Sequence, residues 1–222
     1  MPRHRLRFAK TGKAVYLSHL DLMRTMQRAF LRTGVTIRHT EGFNPHAYIS
    51  VALPLSVGVE SRCELLDFER LDGPSLDRLP ELLTAQLPEG IEVISAYEAE
   101  TKVKDIAWLS IAGTLEYDAQ PNTAELAQRL TAFFAQPELS VKKRTKKKEE
   151  TELNIAPLLR QITFVPDGDH KIKLEAVVAA QNPPLGPGLL LDAISQKAPD
   201  LAPDFTVFSR LEAYDREMRV FL

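Results

Sequence analysis

Four stretches of this chain combine residue types and spacings that bear on chemistry. Arg24, Arg28 and Arg32 recur every four residues. On a helix that spacing puts three guanidinium forks on one face, about 6 Å apart along the axis, a pitch suited to phosphate oxygens along a nucleic-acid backbone. The same stripe is equally consistent with a solvated helix face on which Asp21 balances Arg24. The segment Leu17-Ser18-His19-Leu20-Asp21 holds Ser, His and Asp close together. Members of a catalytic triad meet in space from separate segments, so Ser18 and Asp21 are read as helix-capping residues instead. His19 is then either a packed histidine or a group available for proton transfer. In Gly42-Phe43-Asn44-Pro45-His46 a large ring sits in a turn-forming loop. Phe43 either anchors that loop in the core, the default for such a ring, or offers a stacking platform to an unpaired base. A divalent metal would need His19, His39, His46 and Asp21 to converge, and no metal or other cofactor is expected. Finally, Lys142, Lys143, Arg144, Lys146, Lys147 and Lys148 put six bases into seven residues. Such a run is too self-repulsive to pack, and predicts an exposed hairpin arm or a flexible loop over 140–150. It either supplies sequence-independent, salt-sensitive phosphate contacts or serves as a solubilising loop.

The charge is distributed unevenly. The 222 residues carry a net −2, yet residues 1–50 hold nine Lys/Arg against two acids, a net of +7, with four of the five histidines. Residues 51–105 reverse this, with five bases against twelve acids. A basic first third plus a dense basic run points to a polyanionic partner. The single cysteine, Cys63, excludes an intrachain disulfide, a multi-thiolate zinc site and an iron–sulfur cluster held by this chain alone. No phosphate-binding loop of Walker type, no Gly-x-Gly-x-x-Gly and no Cys-x-x-Cys is present. No apolar stretch approaches a membrane span, and Met1–Arg5 leads into a strand pattern, not a signal. A cytoplasmic location and no membrane partner are the expectations.

The elements that must position these residues follow from periodicity. Alternation around Leu6 and Phe8 predicts a strand over residues 3–9. A helix is predicted from about Leu20 to Arg32, with Ser18 as its cap and Leu22, Met23, Met26, Ala29, Phe30 and Thr33 on its core face. Strands are predicted over 35–38, 48–53, 63–68 and 91–97, and a second helix from Ser75 to Leu87. In the second half, strand patterns at 108–117, 139–144, 162–165, 171–178 and 205–214 surround helices at 123–135 and 189–197, with an excursion near 145–160. The prediction is an α+β fold of two tandem ferredoxin-like (βαββαβ) domains with antiparallel sheets. The domains are 1–102, basic and His-rich at its start, and 103–222, with the basic loop at 140–150.

Four blocks carry a resemblance: Arg5-Leu6-Arg7-Phe8-Ala9-Lys10-Thr11-Gly12, Leu17-Ser18-His19-Leu20-Asp21-Leu22-Met23-Arg24, Gly42-Phe43-Asn44-Pro45-His46, and Leu53-Pro54-Leu55-Ser56-Val57-Gly58-Val59-Glu60-Ser61. In order and spacing they resemble the radical SAM-linked family, uncharacterised proteins encoded beside or fused to a radical SAM protein. The resemblance covers the N-terminal half well and extends more weakly to Lys142–Lys148 and Leu153-Asn154-Ile155. It implies a radical SAM protein as partner more than it implies a reaction. A second similarity, of fold plan only, is to the repeat-processing endoribonucleases of CRISPR systems.

The expected function is an accessory RNA-binding module assisting a radical SAM enzyme in tRNA or rRNA modification or processing, non-catalytic by itself. Arg24, Arg28, Arg32, Lys142, Lys143, Arg144, Lys146, Lys147 and Lys148 would hold phosphates, and Phe43, Asn44 and His46 would contact an unpaired base or shaped loop. One alternative is metal-independent RNA cleavage with His19 and His46 as the acid–base pair. The other is a subunit that only docks on the radical SAM enzyme.

Overall fold

The computed structural model describes residues 3–119, 121–144 and 150–222. The fold is mixed α+β, and the chain divides into two compact units: Met1–Asp105 with Phe221–Leu222, and Ile106–Val220.

Unit 1 begins with β1 (His4–Lys10), in which Leu6 and Phe8 alternate into the core as the sequence pattern requires. A 3-10 turn (Gly12–Tyr16) leads to α1 (His19–Arg32). The Ser18 Oγ accepts the Asp21 N–H at 3.2 Å, and Leu22, Met26, Ala29 and Phe30 are buried at helical spacing. Thr33 is not on that core face: its hydroxyl donates to the Ala29 and Phe30 carbonyls. The chain continues through β2 (Thr36–Ile37), β3 (Ile49–Ala52), β4 (Glu60–Phe68), β5 (Arg70–Asp72), α2 (Leu79–Thr84) and β6 (Ile91–Glu98). The sheet order is β3-β4-β1-β6, all antiparallel, while β2 and β5 pair as a separate ribbon. Leu6, Phe8, Met26, Phe30, Leu66 and Leu83 form the centre of the core, on one face of this sheet.

The second predicted helix is shorter than the expected Ser75–Leu87. Leu76–Arg78 is a 3-10 turn, and the α-helix begins only at Leu79. Pro80 has no N–H to donate to the Leu76 carbonyl, so an α-helix cannot be continuous through this turn, whereas Pro is well placed in the first turn of a helix starting at Leu79. The Ser75 side chain caps no backbone donor there. After Thr84 the chain unwinds in i→i+3 turns, with Gln86 N–H to Leu83 and Leu87 N–H to Thr84.

Unit 2 comprises β7 (Trp108–Glu116), α3 (Thr123–Phe134), β8 (Ser140–Arg144), β9 (Glu150–Asn154), β10 (Leu159–Pro166), β11 (Lys171–Ala179), α4 (Pro187–Lys197) and β12 (Phe205–Tyr214). Its sheet order is β10-β11-β7-β12, again antiparallel. Phe134 stacks on Phe164, ring centroids 5.7 Å apart, and so ties α3 to the sheet. The strand expected over 139–144 is found as Ser140–Arg144, and it pairs with Glu150–Asn154 as a two-stranded ribbon, the hairpin-arm alternative, within the stretch expected as an excursion. Among the described residues no helix is long and apolar enough to cross a membrane.

Candidate nucleic-acid interface

The predicted arginine stripe lies on α1, and Arg24, Arg28 and Arg32 are all exposed. They are not equivalent. Arg24 approaches Asp21 at 3.6 Å, with both side chains more than half exposed. Arg32 donates to the Gln86 side chain at 3.1 Å and to its carbonyl at 2.7 Å, which holds its fork beside the end of α2. Arg28 forms no hydrogen bond or ion pair with a described residue.

The N-terminus of α1 is fixed from below by a buried charge. Lys10, nearly inaccessible at the end of β1, donates its Nζ to the carbonyls of Val15 (3.2 Å) and Leu17 (3.0 Å). Burial lowers the pKa of this ammonium, an effect opposed by the Glu64 carboxylate. The Val15 carbonyl also accepts the Gly58 N–H at 3.0 Å. The segments 10–12, 17–24 and 53–61 therefore meet at the 3-10 turn, and their separation in sequence reflects one joint. His19, the first residue of α1, is exposed above it.

The Gly42–His46 loop is the tip of a hairpin. His39 bridges Ala47, the Tyr48 N–H donates to the Arg38 carbonyl at 2.8 Å, and the Thr40 N–H donates to the His46 carbonyl at 2.8 Å. The Thr40 hydroxyl accepts the His46 N–H at 2.9 Å. Gly42 lies at φ +124°, a conformation that a side chain would strain. Every residue from Glu41 to His46 is exposed, and Phe43 is fully so. The default expectation that Phe43 anchors the loop in the core is overturned. The loop is fixed by its own backbone hydrogen bonds and by the ion pair at its base, so it needs no apolar anchor. At that base the Arg38 guanidinium lies over the Tyr48 ring, 4.4 Å from its centroid, and donates to Glu69 Oε2 at 2.6 Å.

Phe43, Asn44 and His46 thus share one exposed tip, and no hydrogen bond joins His19 to His46. Among the described residues no group of three or more His, Cys, Asp or Glu is disposed to hold a metal ion. Lys142 is exposed on β8, where its N–H donates to the Gln196 side chain (2.9 Å) and its carbonyl accepts from it (3.0 Å), fastening the base of the basic ribbon to α4. The Lys143 and Arg144 side chains, and Lys146, Lys147 and Lys148, lie outside the described residues. Sequence reasoning passed over Arg38 and Tyr48. Their signal was positional: they stand at equal distances either side of Gly42-Phe43-Asn44, as partners in a hairpin must.

The sequence matches the model of a family described as "Uncharacterized protein conserved in bacteria (DUF2344)" over residues 3–185. The chain belongs to that family. The matched segment holds α1, the Arg38–Tyr48 hairpin and the β8–β9 ribbon, and ends before α4. No curated protein matches the sequence. Among solved structures, one titled "Crystal Structure of a Cbf5-Nop10-Gar1 Complex" superposes with a TM-score of 0.51 at 8% identity. The alignment covers 95% of this chain and 48% of that one, about half its length, and the likeness is one of fold. Another, titled "Crystal Structure of an Unknown Protein from Galdieria sulphuraria", aligns at 12% identity and a TM-score of 0.27, over 94% of this chain and 98% of that one.

Proposed function

We propose that this chain is an accessory RNA-binding module that works with a radical SAM enzyme in the modification or processing of tRNA or rRNA. The observation that carries the reading is Phe43, a ring fully exposed at the tip of a hairpin that is otherwise fixed by hydrogen bonds. Exposing such a ring contributes nothing to folding, whereas a base stacked on it gains about 1–3 kcal/mol. His46 and Asn44 beside it bring hydrogen-bonding groups to a base edge. Arg24, Arg28 and Arg32 bring positive charge to α1, and the Lys142–Lys148 segment adds more in unit 2.

Both units are read as ferredoxin-like. The strand orders β6-β1-β4-β3 and β12-β7-β11-β10 support this, with β8–β9 as an insertion into the second. The radical SAM partnership rests on the resemblance of the Arg5–Gly12, Leu17–Arg24, Gly42–His46 and Leu53–Ser61 blocks. It also fits the single buried cysteine, Cys63, which cannot ligate an iron–sulfur cluster alone, so the partner would perform any radical step. The test is purification of the full chain from its native host, with sequencing of bound RNA and mass spectrometry of co-eluting proteins. A defined RNA released by Phe43→Ala supports the reading, and a preparation free of RNA whose affinity for added RNA is unmeasurable contradicts it.

One observation favours a second reading, a subunit that docks on the radical SAM enzyme without RNA. Tyr16 and Leu31 are about three-quarters exposed, and Leu20 and Val57 more than half, all in unit 1. A nuclease-resistant complex with the enzyme that lacks RNA would establish that version.

A further inference from the structure

The face of the unit 1 sheet turned away from the helices carries a cavity of about 420 Å³, within the usual range for small-ligand sites. Strand alternation explains its lining. Ser50 is opposite Asp67 in the β3–β4 ladder, and one step beyond Ile49 and Phe68 the Tyr48 carbonyl accepts the Glu69 N–H at 3.0 Å. Tyr48, Ser50, Asp67 and Glu69 therefore share one face and line the cavity with Arg3, while Ile49 and Phe68, which alternate with them along the strands, also reach its wall.

Three features give the cavity its chemistry. Tyr48 is an aromatic wall, its ring held by the Arg38 guanidinium lying over it. Asp67 is an oriented acceptor. The buried Arg5 donates to it from Nε at 2.6 Å and from a terminal nitrogen at 3.1 Å, and is itself anchored on the Thr101 hydroxyl (2.8 Å) and carbonyl (3.1 Å). A carboxylate engaged by one such fork keeps further lone pairs for a ligand. Glu69, two residues on, is held by a single hydrogen bond, from an Arg38 terminal nitrogen to its Oε2 at 2.6 Å. Arg3, half exposed and ion-paired with Asp67 at 3.8 Å, supplies a positive group at the edge.

An aromatic wall beside fixed carboxylates selects a flat ligand with adjacent N–H donors on one edge. Among the RNA bases guanine alone has two neighbouring donors there, N1–H and the 2-amino group. Adenine and cytosine place a ring acceptor beside their amino group, and uracil flanks its one N–H with two carbonyls, all of which a carboxylate repels. We propose that this cavity binds a guanine base of single-stranded RNA, stacked on Tyr48, with its N1–H and 2-amino donors on Asp67 or Glu69 and the adjoining phosphate at Arg3. This deepens the RNA-binding reading and rests on it for the polymer.

The experiment titrates GMP, IMP, AMP and free arginine into the full-length chain by calorimetry, alongside a short single-stranded RNA. IMP lacks only the 2-amino group, so the comparison needs no variant. GMP is expected to bind, IMP roughly tenfold more weakly, as the loss of a hydrogen bond to a charged acceptor requires, and AMP not measurably. Tyr48→Ala should weaken GMP by roughly tenfold or more, while Tyr48→Phe, which keeps the ring, stays near wild type. Equal binding of the three nucleotides, binding of none, or a preference for arginine over GMP overturns the assignment. If the RNA still binds in those cases, only the cavity's role is lost. GMP selectivity without RNA binding would keep the cavity and remove the RNA module.

Discussion

The Arg38 guanidinium lies over the ring of Tyr48, 4.4 Å from its centroid, and closes the base of the hairpin that carries Phe43. The Arg38–Glu69 hydrogen bond also holds Arg38 above its usual pKa, so the guanidinium stays charged throughout. Replacing it, as in Arg38→Met, should loosen the hairpin without unfolding the unit. Hydrogen exchange reads this directly: the Thr40 and Tyr48 amides should exchange faster, while those of β1 are unchanged.

Phe43→Ala should leave stability within about 0.5 kcal/mol of wild type, because the ring touches solvent and not core. Affinity for single-stranded RNA should fall by about 1–3 kcal/mol, the worth of one stacked base. Thermal melts and fluorescence anisotropy on one preparation separate the two effects.

Asp67 has a structural role that can be measured apart from any ligand. Arg5 is inaccessible to solvent and also lies 4.9 Å from the Phe221 ring centroid. Asp67→Ala would leave that guanidinium buried without its counter-ion, at a cost of about 3–5 kcal/mol. A denaturant midpoint unchanged from wild type would contradict the assignment.

His4 makes unit 1 sensitive to acid. It is buried against Phe68, its Nδ1 has no partner among the described residues, and burial, followed by the nearby Arg70, lowers its pKa below 6.5. The folded state therefore binds its proton more weakly than the unfolded state does. Its contribution is fully present above pH 6.5 and is lost as pH falls from 6.5 through the lower folded value. Melting temperatures recorded across that interval should decline, and the decline should be shallower for His4→Phe.

Gly90 tests the joint beneath α1. Its φ is +89°, its carbonyl accepts the Thr11 N–H at 2.7 Å, and a Cβ there would stand 2.2 Å from the Thr11 carbonyl oxygen. Both the conformation and the contact forbid a side chain, so Gly90→Ala should cost at least about 2 kcal/mol.

Where pattern alone sets structure, the sequence was readable. The alternation at Leu6 and Phe8, the Ser18 cap and the Leu22–Phe30 stripe each depend on neighbours within a few residues, and each is found in place. Features set by distant partners were not readable. The late start of α2 is an exception, because Pro80 is a local signal that was passed over, and its early stop lies in the turns after Thr84. The β8–β9 ribbon was legible only as one of two alternatives, a hairpin arm or a loop, because it depends on pairing across a run of like charge and on Gln196, more than fifty residues away. The same limit applies to the site. The tip residues Phe43, Asn44 and His46 stand out locally, but Phe43's exposure depends on a hairpin register that only Arg38, Tyr48 and Glu69 together reveal.

The most direct measurement is the salt dependence of RNA binding by the full chain and by the Arg24→Ala, Arg28→Ala, Arg32→Ala triple variant. Each phosphate contact on a single strand contributes about 0.7 to the slope of log affinity against log salt. A steep negative slope is expected for the wild type, reduced by about 2 in the triple variant. Affinity that does not change with salt, or a slope identical in the two proteins, would contradict it.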